Sequence, residues 1–249
     1  MSTLPHTAAP LGHTQAMALQ YDELQRIVAL LTSLTADDWA KPTDCPAWDV
    51  RQLALHLLGA CESGASTAEM LRQMRQAFAR RRREGGPLEA ALSATQVAAR
   101  DTLTPTEVVA RLRDVTPACV KGRQRLPRLM RDHVSMKVDG PVVERWKLGY
   151  LVDTIYLRDL WLHRVDLCRA TGRDMECTPA HDGVIVADVV REWGTRHGAP
   201  YRVVLTGPAG GEFAVGDAVE TVELDAVEFC RTVSGRVAGE GLLATVVPF

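Results

Sequence analysis

The chain has 249 residues, of which 46% are hydrophobic and 24% are charged, and its formal net charge is -2. This length suffices for one large domain or two ordinary ones, with a buried core and a ligand pocket. The nearly balanced charge does not favour nucleic acid or an anionic membrane surface as the main partner.

The N-terminal sequence and the cysteines indicate the cellular setting. MSTLPHTAAPLGHTQ lacks the charged start and apolar run of a secretory signal, and no segment reaches the apolar length of a membrane span. We therefore expect a cytoplasmic protein that does not cross a membrane. The six cysteines show no CxxC pairs and are predicted to be thiols; they are Cys45, Cys61, Cys119, Cys168, Cys177 and Cys230.

Three helices are predicted before residue 87. Apolar positions recur at helical spacing from about Ala16 to Leu34. The segment TADDWAKPTDCPAWDV contains two prolines and separates this helix from a second one, which starts near Trp48 or Asp49. A third helical run, STAEMLRQMRQAFARRRREGG, ends in two glycines that suit a helix C-terminus.

The middle of the chain is less regular until one long helix. Residues 87–139 mix helical pieces such as TEVVARLRDV with prolines and basic residues. The next segment, SMKVDGPVVERWKLGY, contains Asp-Gly-Pro and is predicted to be a connection. LGYLVDTIYLRDLWLHRVDLCRATG, residues 148–172, is predicted to form a single, mostly apolar helix.

The pattern changes near Cys177 and Thr178. A helix in TPAHDGVIVADVVREWGTRHG precedes two short strands, YRVVLTG and GEFAVG, and then a third strand and a helix in AVETVELDAVEFCRTVSGR. The apolar tail GLLATVVPF is expected to dock on this unit. The sequence therefore predicts an α+β protein, with a helical domain over residues 1–176 and a small α/β domain over residues 177–249.

Asp159 and His163 lie one turn apart on the long helix, so their side chains project from the same face. A divalent metal ion is the simplest ligand for one carboxylate and one imidazole in such an apolar setting. His56 occupies an equally apolar stretch, LALHLLGA, on another helix, and facing helices of a bundle commonly build metal sites. A solvated acid–histidine pair and a core histidine bonded to the backbone also fit the pattern.

Two motifs give the chain a resemblance to a known family. WAKPTDCPAWDVRQLALHLLGA and LRDLWLHRVDLCRATGR resemble the DinB-like metalloenzymes of the mycothiol-dependent maleylpyruvate isomerase family, and DAVEFCRTVSGR and GLLATVVPF are similar to its small C-terminal domain. The resemblance implies a DinB-like four-helix bundle and a divalent metal, usually zinc, bound by His56, Asp159 and His163. The family's characterised isomerase has glutamate where this chain has Asp159, which puts the position and identity of the metal in question.

The resemblance also implies a chemistry. Three protein ligands leave a metal with an open position, which is the catalytic pattern. A thiol held there, mycothiol by resemblance, would be favoured as the thiolate and could attack an electrophilic small-molecule substrate. Release of the sulfur after bond rotation would make the protein an isomerase, and retention would make it an S-transferase. In the C-terminal domain, Arg231 and Arg236 are candidates for binding a substrate carboxylate. The alternative is that they are ordinary charged residues of the surface.

The sequence also allows other functions and other roles for single residues. The protein could be a non-catalytic small-molecule binding protein of the same fold, or a metal-assisted enzyme for hydrolysis or natural-product biosynthesis. Two histidines and a carboxylate also describe the Fe(II) facial triad. Asp166 could orient a ligand or pair with a nearby arginine, and RRRR at residues 80–83 could bind an anion or be a solvated helix end. A monomer or a homodimer is expected.

Overall fold

The computed structural model describes residues 10–139, 143–217 and 221–249. The chain divides into two compact units, His13–Arg173 and a second that contains Asp174–Phe249. This division falls after Arg173, and the boundary placed after residue 176 from sequence stays a prediction. Each unit has its own buried core.

The first unit is almost entirely helical. Its helices are α1 (His13–Thr32), α2 (Val50–Ala65), α3 (Thr67–Glu84), α4 (Leu88–Ala98), α5 (Pro105–Gln124), α6 (Arg128–His133), α7 (Leu148–Tyr150) and α8 (Tyr156–Thr171), and a short hairpin consists of β1 (Ser135–Val138) and β2 (Glu144–Lys147). The first three helices confirm the predicted ones. His13 begins α1, and its Nδ1 lies 2.6 Å from Asp153 Oδ1.

Local capping explains where several helices begin. Asp49 and Gln52 form a reciprocal capping box at the start of α2, so the α2 backbone is anchored one turn before His56. Thr104 and Glu107 form the same arrangement before α5, where Pro105 occupies the first turn. These helix starts depend on residues close in sequence and were therefore accessible to sequence analysis.

Four helices, α1, α2, α5 and α8, surround the main hydrophobic core and form the predicted bundle. The backbones of α2 and α5 approach closely at Gly64 and Gly122. A Cβ atom added at Gly122 would lie 2.1 Å from the Gly64 carbonyl oxygen, which no side chain could tolerate. Helices α3 and α4 pack against α2 from outside.

Two expectations for residues 135–172 are corrected by the structure. The segment predicted as a connection contains antiparallel strands β1 and β2, which pair from Ser135 with Lys147 to Val138 with Glu144. Four-residue strands are too short for a clear alternation to stand out; the Gly140–Pro141 part of the predicted turn lies outside the described residues. The long helix is interrupted by a π-helical turn at Leu151–Ile155, a feature often found near functional sites.

The second unit contains α9 (Asp182–His197), β3 (Tyr201–Thr206), β4 (Gly211–Val215), β5 (Thr221–Asp225) and α10 (Ala226–Val233). The sheet order is β4-β3-β5, with β3 antiparallel to β4 and parallel to β5. Trp193 is fully buried, contacts the rings of Tyr201 and Phe229 and donates a hydrogen bond to the Leu242 carbonyl. The tail docks as predicted, because the Val247 amide bonds to the Val233 carbonyl at 2.8 Å.

These elements confirm the predicted α+β class, a helical bundle followed by a small α/β unit. All six cysteines lie in the described residues and are free thiols. In the run at residues 80–83, Arg80 pairs with Glu84 and Arg81 pairs with Asp139, which agrees with a solvated helix end. Within the described ranges, no helix is long and apolar enough to span a membrane.

Candidate metal centre

The structure brings His56, Asp159 and His163 together in the core of the bundle. Helix α2 supplies His56, and α8 supplies the other two side chains. Asp159 Oδ1 lies 3.2 Å from His163 Nε2, and Asp159 Oδ2 lies 4.0 Å from His56 Nε2. One potential ligand atom from each residue lies within 4.8 Å of the others. Two separated segments thus converge as the sequence analysis proposed.

The site is buried on the imidazole side and partly open at the carboxylate. His56 is 8% exposed and His163 is 5% exposed, whereas the Asp159 side chain retains 32% exposure. The indole of Trp48 stacks on His56 with ring centroids 4.9 Å apart. The protein therefore shields the two imidazoles while leaving the carboxylate accessible to solvent.

A chain of glutamines orients His56 from behind. Nδ1 of His56 lies 2.8 Å from Oε1 of Gln96, whose amide nitrogen donates to Oε1 of Gln73 at 3.0 Å. Because Gln96 uses its nitrogen as donor to Gln73, its oxygen must accept from His56, so Nδ1 of His56 carries the hydrogen. This tautomer leaves a lone pair on Nε2, the nitrogen that faces Asp159.

The glutamine chain is itself held at its far end. Gln73 donates to the Gly59 carbonyl at 2.9 Å and to Glu69 at 2.8 Å. Hydrogen bonds from Arg72, and a further one from Arg100, hold the pKa of Glu69 at about 2, so this acceptor is ionised at neutral pH. Gly59 also makes room for Gln96, because a Cβ atom at position 59 would lie 2.6 Å from Gln96 Cβ.

A carboxylate and a thiol support His163 in a different way. Nδ1 of His163 lies 3.1 Å from Oδ2 of the fully buried Asp166, which also accepts a hydrogen bond from Cys45 Sγ at 3.3 Å. A carboxylate behind a histidine is the common arrangement at metal sites, because it orients the ring and raises its basicity. Cys45, His163 and Asp166 also form a second cluster of potential ligands that shares His163.

The pKa values of the two imidazoles differ because of these surroundings. Burial, reinforced by the charge of His163, lowers the pKa of His56 to about 4, so this ring is neutral at pH 7. Burial also acts to lower the pKa of His163, but Asp159 and the hydrogen bond with Asp166 outweigh it and raise that pKa well above its usual value. Burial acts to raise the pKa of Asp159, but His163 outweighs it and holds that pKa at about 2.

The donor set fits a divalent cation. In a tetrahedral zinc site, ligand atoms about 2 Å from the metal are roughly 3.3 Å apart, and the protein already holds two of the relevant distances at 3.2 and 4.0 Å. The carboxylate of Asp159 thus reaches both imidazoles. Metal binding requires neutral Nε2 atoms and an ionised carboxylate. His56 and Asp159 meet this requirement at pH 7, whereas His163 would lose its proton to the cation.

Arg231 and Arg236 lie in the second unit. Arg231 belongs to α10, is buried and pairs with Glu228 Oε2 at 2.6 Å. Arg236 follows the helix, is half-buried, and its backbone amide bonds to the Arg231 carbonyl at 2.9 Å. Their assignment to a substrate carboxylate stays a prediction.

Two residues that support His56, one on α3 and one on α4, could not be recognised from the sequence. Gln73 and Gln96 are isolated amides in helical segments, and nothing in their local sequence distinguishes them from surface glutamines. From the sequence, Cys45 was predicted only to be a thiol, and Trp48 only to lie near the start of the second helix. Asp166 was detectable, since it follows His163 by three residues on the same helix.

The fold and the site together define the class of this protein. It is a helical bundle in which two imidazoles and a carboxylate from facing helices form a candidate metal centre. Residues 21–168 match the family model described as "Mycothiol maleylpyruvate isomerase N-terminal domain". This match covers more than half of the chain. The protein therefore belongs to the mycothiol maleylpyruvate isomerase family, as the resemblance indicated.

Two solved structures share the fold. They are crystal structures of the mycothiol-dependent maleylpyruvate isomerase and of a mutant of that enzyme, with 16% and 15% sequence identity to this chain. Each has a TM-score of 0.55, and the alignments cover 96% of this chain and 93% of the other. No curated protein sequence matches the chain significantly. At this identity, the structural likeness establishes the fold alone.

Proposed function

We propose that this protein is a divalent-metal-dependent enzyme that uses a low-molecular-weight thiol, mycothiol, as nucleophile towards a maleylpyruvate-like electrophile. The observation that carries the proposal is the convergence of His56, Asp159 and His163, with each imidazole oriented by a hydrogen bond on its far side. Family membership supports the thiol and the substrate class.

We propose that His56 and His163 bind the metal through Nε2 and that Asp159 binds it through a carboxylate oxygen. Two imidazoles and one carboxylate are a common donor set of catalytic zinc, which makes zinc the proposed metal. Gln96 and Asp166 keep the two rings in the binding orientation. A divalent cation held there would favour the thiolate form of a thiol at its open position.

The proposed reaction balances without an external oxidant or reductant. The thiolate adds to one carbon of the C=C bond, and the electron pair of that bond moves to the conjugated carbonyl oxygen. Rotation about the resulting single bond and return of the electron pair expel the same thiolate, so that only the cis or trans geometry changes. If the adduct takes up a proton on carbon and leaves, the net reaction is S-transfer.

We propose further that Arg231 and Arg236 contribute to substrate binding, since guanidinium groups pair with carboxylates through two parallel hydrogen bonds. The test is a comparison of KM and kcat in Arg231→Lys and Arg236→Lys. A rise in KM for both variants is expected. Unchanged KM and kcat in both would refute this role.

The test of the proposed function is incubation of metal-loaded protein with mycothiol and maleylpyruvate, followed by ultraviolet absorbance. Turnover is expected for the wild type and for His133→Ala, which removes an exposed histidine, and no turnover is expected for His163→Ala. A thiol adduct detected by mass spectrometry without isomerised product would assign S-transfer. Metal binding without either product would indicate the non-catalytic binding protein.

A further inference from the structure

Arg123 on α5 is a buried cation with an unusual set of contacts. The residue is 5% exposed. Its Nη1 donates to Gln20 Oε1 at 2.7 Å, and its Cζ lies 4.3 Å above the ring centroid of Tyr156. Its Nε is buried without a hydrogen-bond partner in the described part of the chain. Within those same residues, no carboxylate forms an ion pair with this guanidinium.

The guanidinium lies where all four helices of the bundle meet. Gln20 belongs to α1, Arg123 to α5 and Tyr156 to α8. On α2, a Cβ atom added at Gly64 would lie 3.1 Å from Nε of Arg123. Gln20 is in turn fixed by its hydrogen bond to the Val152 carbonyl at 2.7 Å, within the π-helical turn. These contacts hold the guanidinium in place, and none of them is an ion pair with a carboxylate.

This position is close to the candidate metal centre. Tyr156, beneath the guanidinium, precedes Asp159 by three residues on α8, so the two side chains share a helix face. Gly64 follows His56 by eight residues, or about 12 Å along α2. The positive charge of Arg123 also contributes to lowering the pKa of Asp159, after the larger effects of the two histidines.

A buried guanidinium without an ion pair is costly, because charge removed from water needs compensation. The competing counter-ion within the protein is Cys119. A hydrogen bond from Cys61, with a smaller contribution from Arg123, lowers the pKa of Cys119 to about 6. This thiol does not hydrogen-bond to the guanidinium, however, so within the described residues the printed hydrogen bond of Arg123 is the one from Nη1 to Gln20, and Nε has none.

We propose that Arg123 binds one carboxylate of the electrophilic substrate. This inference rests on the proposed function, whose maleylpyruvate-like substrate is an unsaturated dicarboxylate, and it assigns the residue that binds one of the two carboxylates. The guanidinium takes one carboxylate, which leaves the reactive C=C bond between Arg123 and the thiol at the metal.

The experiment is calorimetric titration of the full chain with maleate at constant ionic strength. Zinc-loaded protein and chelator-treated protein are both measured. The variants are Arg123→Met, which removes the charge but keeps a flexible unbranched side chain, Arg123→Lys, which keeps the charge but not the planar fork, and Lys121→Met. Lys121 is exposed on the same helix, so the last variant is matched in charge.

We expect Arg123→Met to bind maleate roughly 10- to 100-fold more weakly, as for loss of a charged hydrogen-bonded pair. Arg123→Lys should recover part of the affinity, and Lys121→Met should bind like the wild type. The midpoint of thermal unfolding of Arg123→Met should be unchanged or higher, because a buried charge without a carboxylate partner within the described residues has been replaced by an apolar side chain.

Equal maleate affinity in wild type and Arg123→Met would overturn the proposal, and so would an equal loss in Lys121→Met. A lower unfolding midpoint in Arg123→Met with unchanged maleate affinity would identify a structural role instead. The zinc content is measured separately. If the wild type binds no zinc, the proposed function fails, while titration of the chelator-treated protein still decides whether Arg123 binds the carboxylate.

Discussion

The two sides of the candidate metal centre differ in how they support their histidine. On the α2 side, an uncharged amide chain from Gln96 to Gln73 holds His56. On the α8 side, the fully buried carboxylate of Asp166 holds His163. Both supports contact Nδ1 and direct Nε2 towards Asp159. The two histidines are therefore oriented in the same way, but the group behind His56 is neutral and the group behind His163 is charged.

This difference has a direct electrostatic consequence. The amide support leaves the pKa of His56 at about 4, under the control of burial, whereas the carboxylates near His163 raise its pKa well above the usual value. His56 is therefore already neutral at pH 7 and would bind a cation without first losing a proton. His163 has a proton to lose to a cation, but its carboxylate makes it the stronger electron donor once bound. Substitutions on each side test this contrast.

The largest effect is expected from removing a ligand. His56→Ala and His163→Ala should each weaken metal binding by more than about 100-fold, since loss of a ligand exceeds the 10- to 100-fold cost of losing an outer partner. Metal content by mass spectrometry and competition with a chromophoric chelator measure this. Equal metal retention by the wild type and both variants would refute the site.

The next largest effect is expected on the α8 side. Asp166→Asn keeps a hydrogen-bond acceptor for Nδ1 of His163 but removes the charge, so metal affinity should fall roughly 10- to 100-fold. The same chelator competition measures it, with Asp44→Asn as the control, because Asp44 pairs with Arg169 on the surface. A loss of less than twofold would show that the charge of Asp166 is unimportant.

A smaller effect is expected on the α2 side. Gln96→Leu should weaken metal binding about 10-fold, because His56 loses the acceptor that selects its tautomer. Gln96→Glu should raise the pKa of His56, which can be followed by NMR titration of the imidazole. Gln76→Leu on α3 is the control, since Gln76 is exposed. An unchanged His56 pKa in Gln96→Glu would contradict the proposed contact.

The smallest effect is expected from crowding the same chain of glutamines. Gly59→Ala places a methyl group 2.6 Å from Gln96 Cβ, and overpacking of this kind costs about 1 to 3 kcal/mol of stability. We expect a lower midpoint of thermal unfolding and a several-fold loss of metal affinity. Gly12→Ala serves as the control, because an added Cβ there meets nothing within 4 Å. A Gly59→Ala protein with wild-type stability would show that α4 shifts freely.

The helices and the hairpin show which parts of the fold can be predicted from local sequence. Those around His56 and His163 were predictable because their apolar periodicity and caps, such as Asp49 with Gln52, act within a few residues. The hairpin of β1 and β2 was missed because its pairing is decided between strands and its alternation is short. The π-helical turn at Leu151–Ile155 was missed because no residue there breaks the helical pattern.

The sequence by itself determined the α+β class and the three candidate ligands, because Asp159 and His163 share a helix face and His56 stands out in an apolar stretch. Asp166 could be proposed as a support of His163 from the same helix face, but only the tertiary structure showed that Gln96 and Gln73 support His56. Gln96 is 40 residues from His56 in sequence, and Arg123 reaches the bundle core beside residues from three other helices. Such contacts depend on which helix faces meet, and the local sequence around an isolated buried polar residue does not show which residue of another helix it will contact.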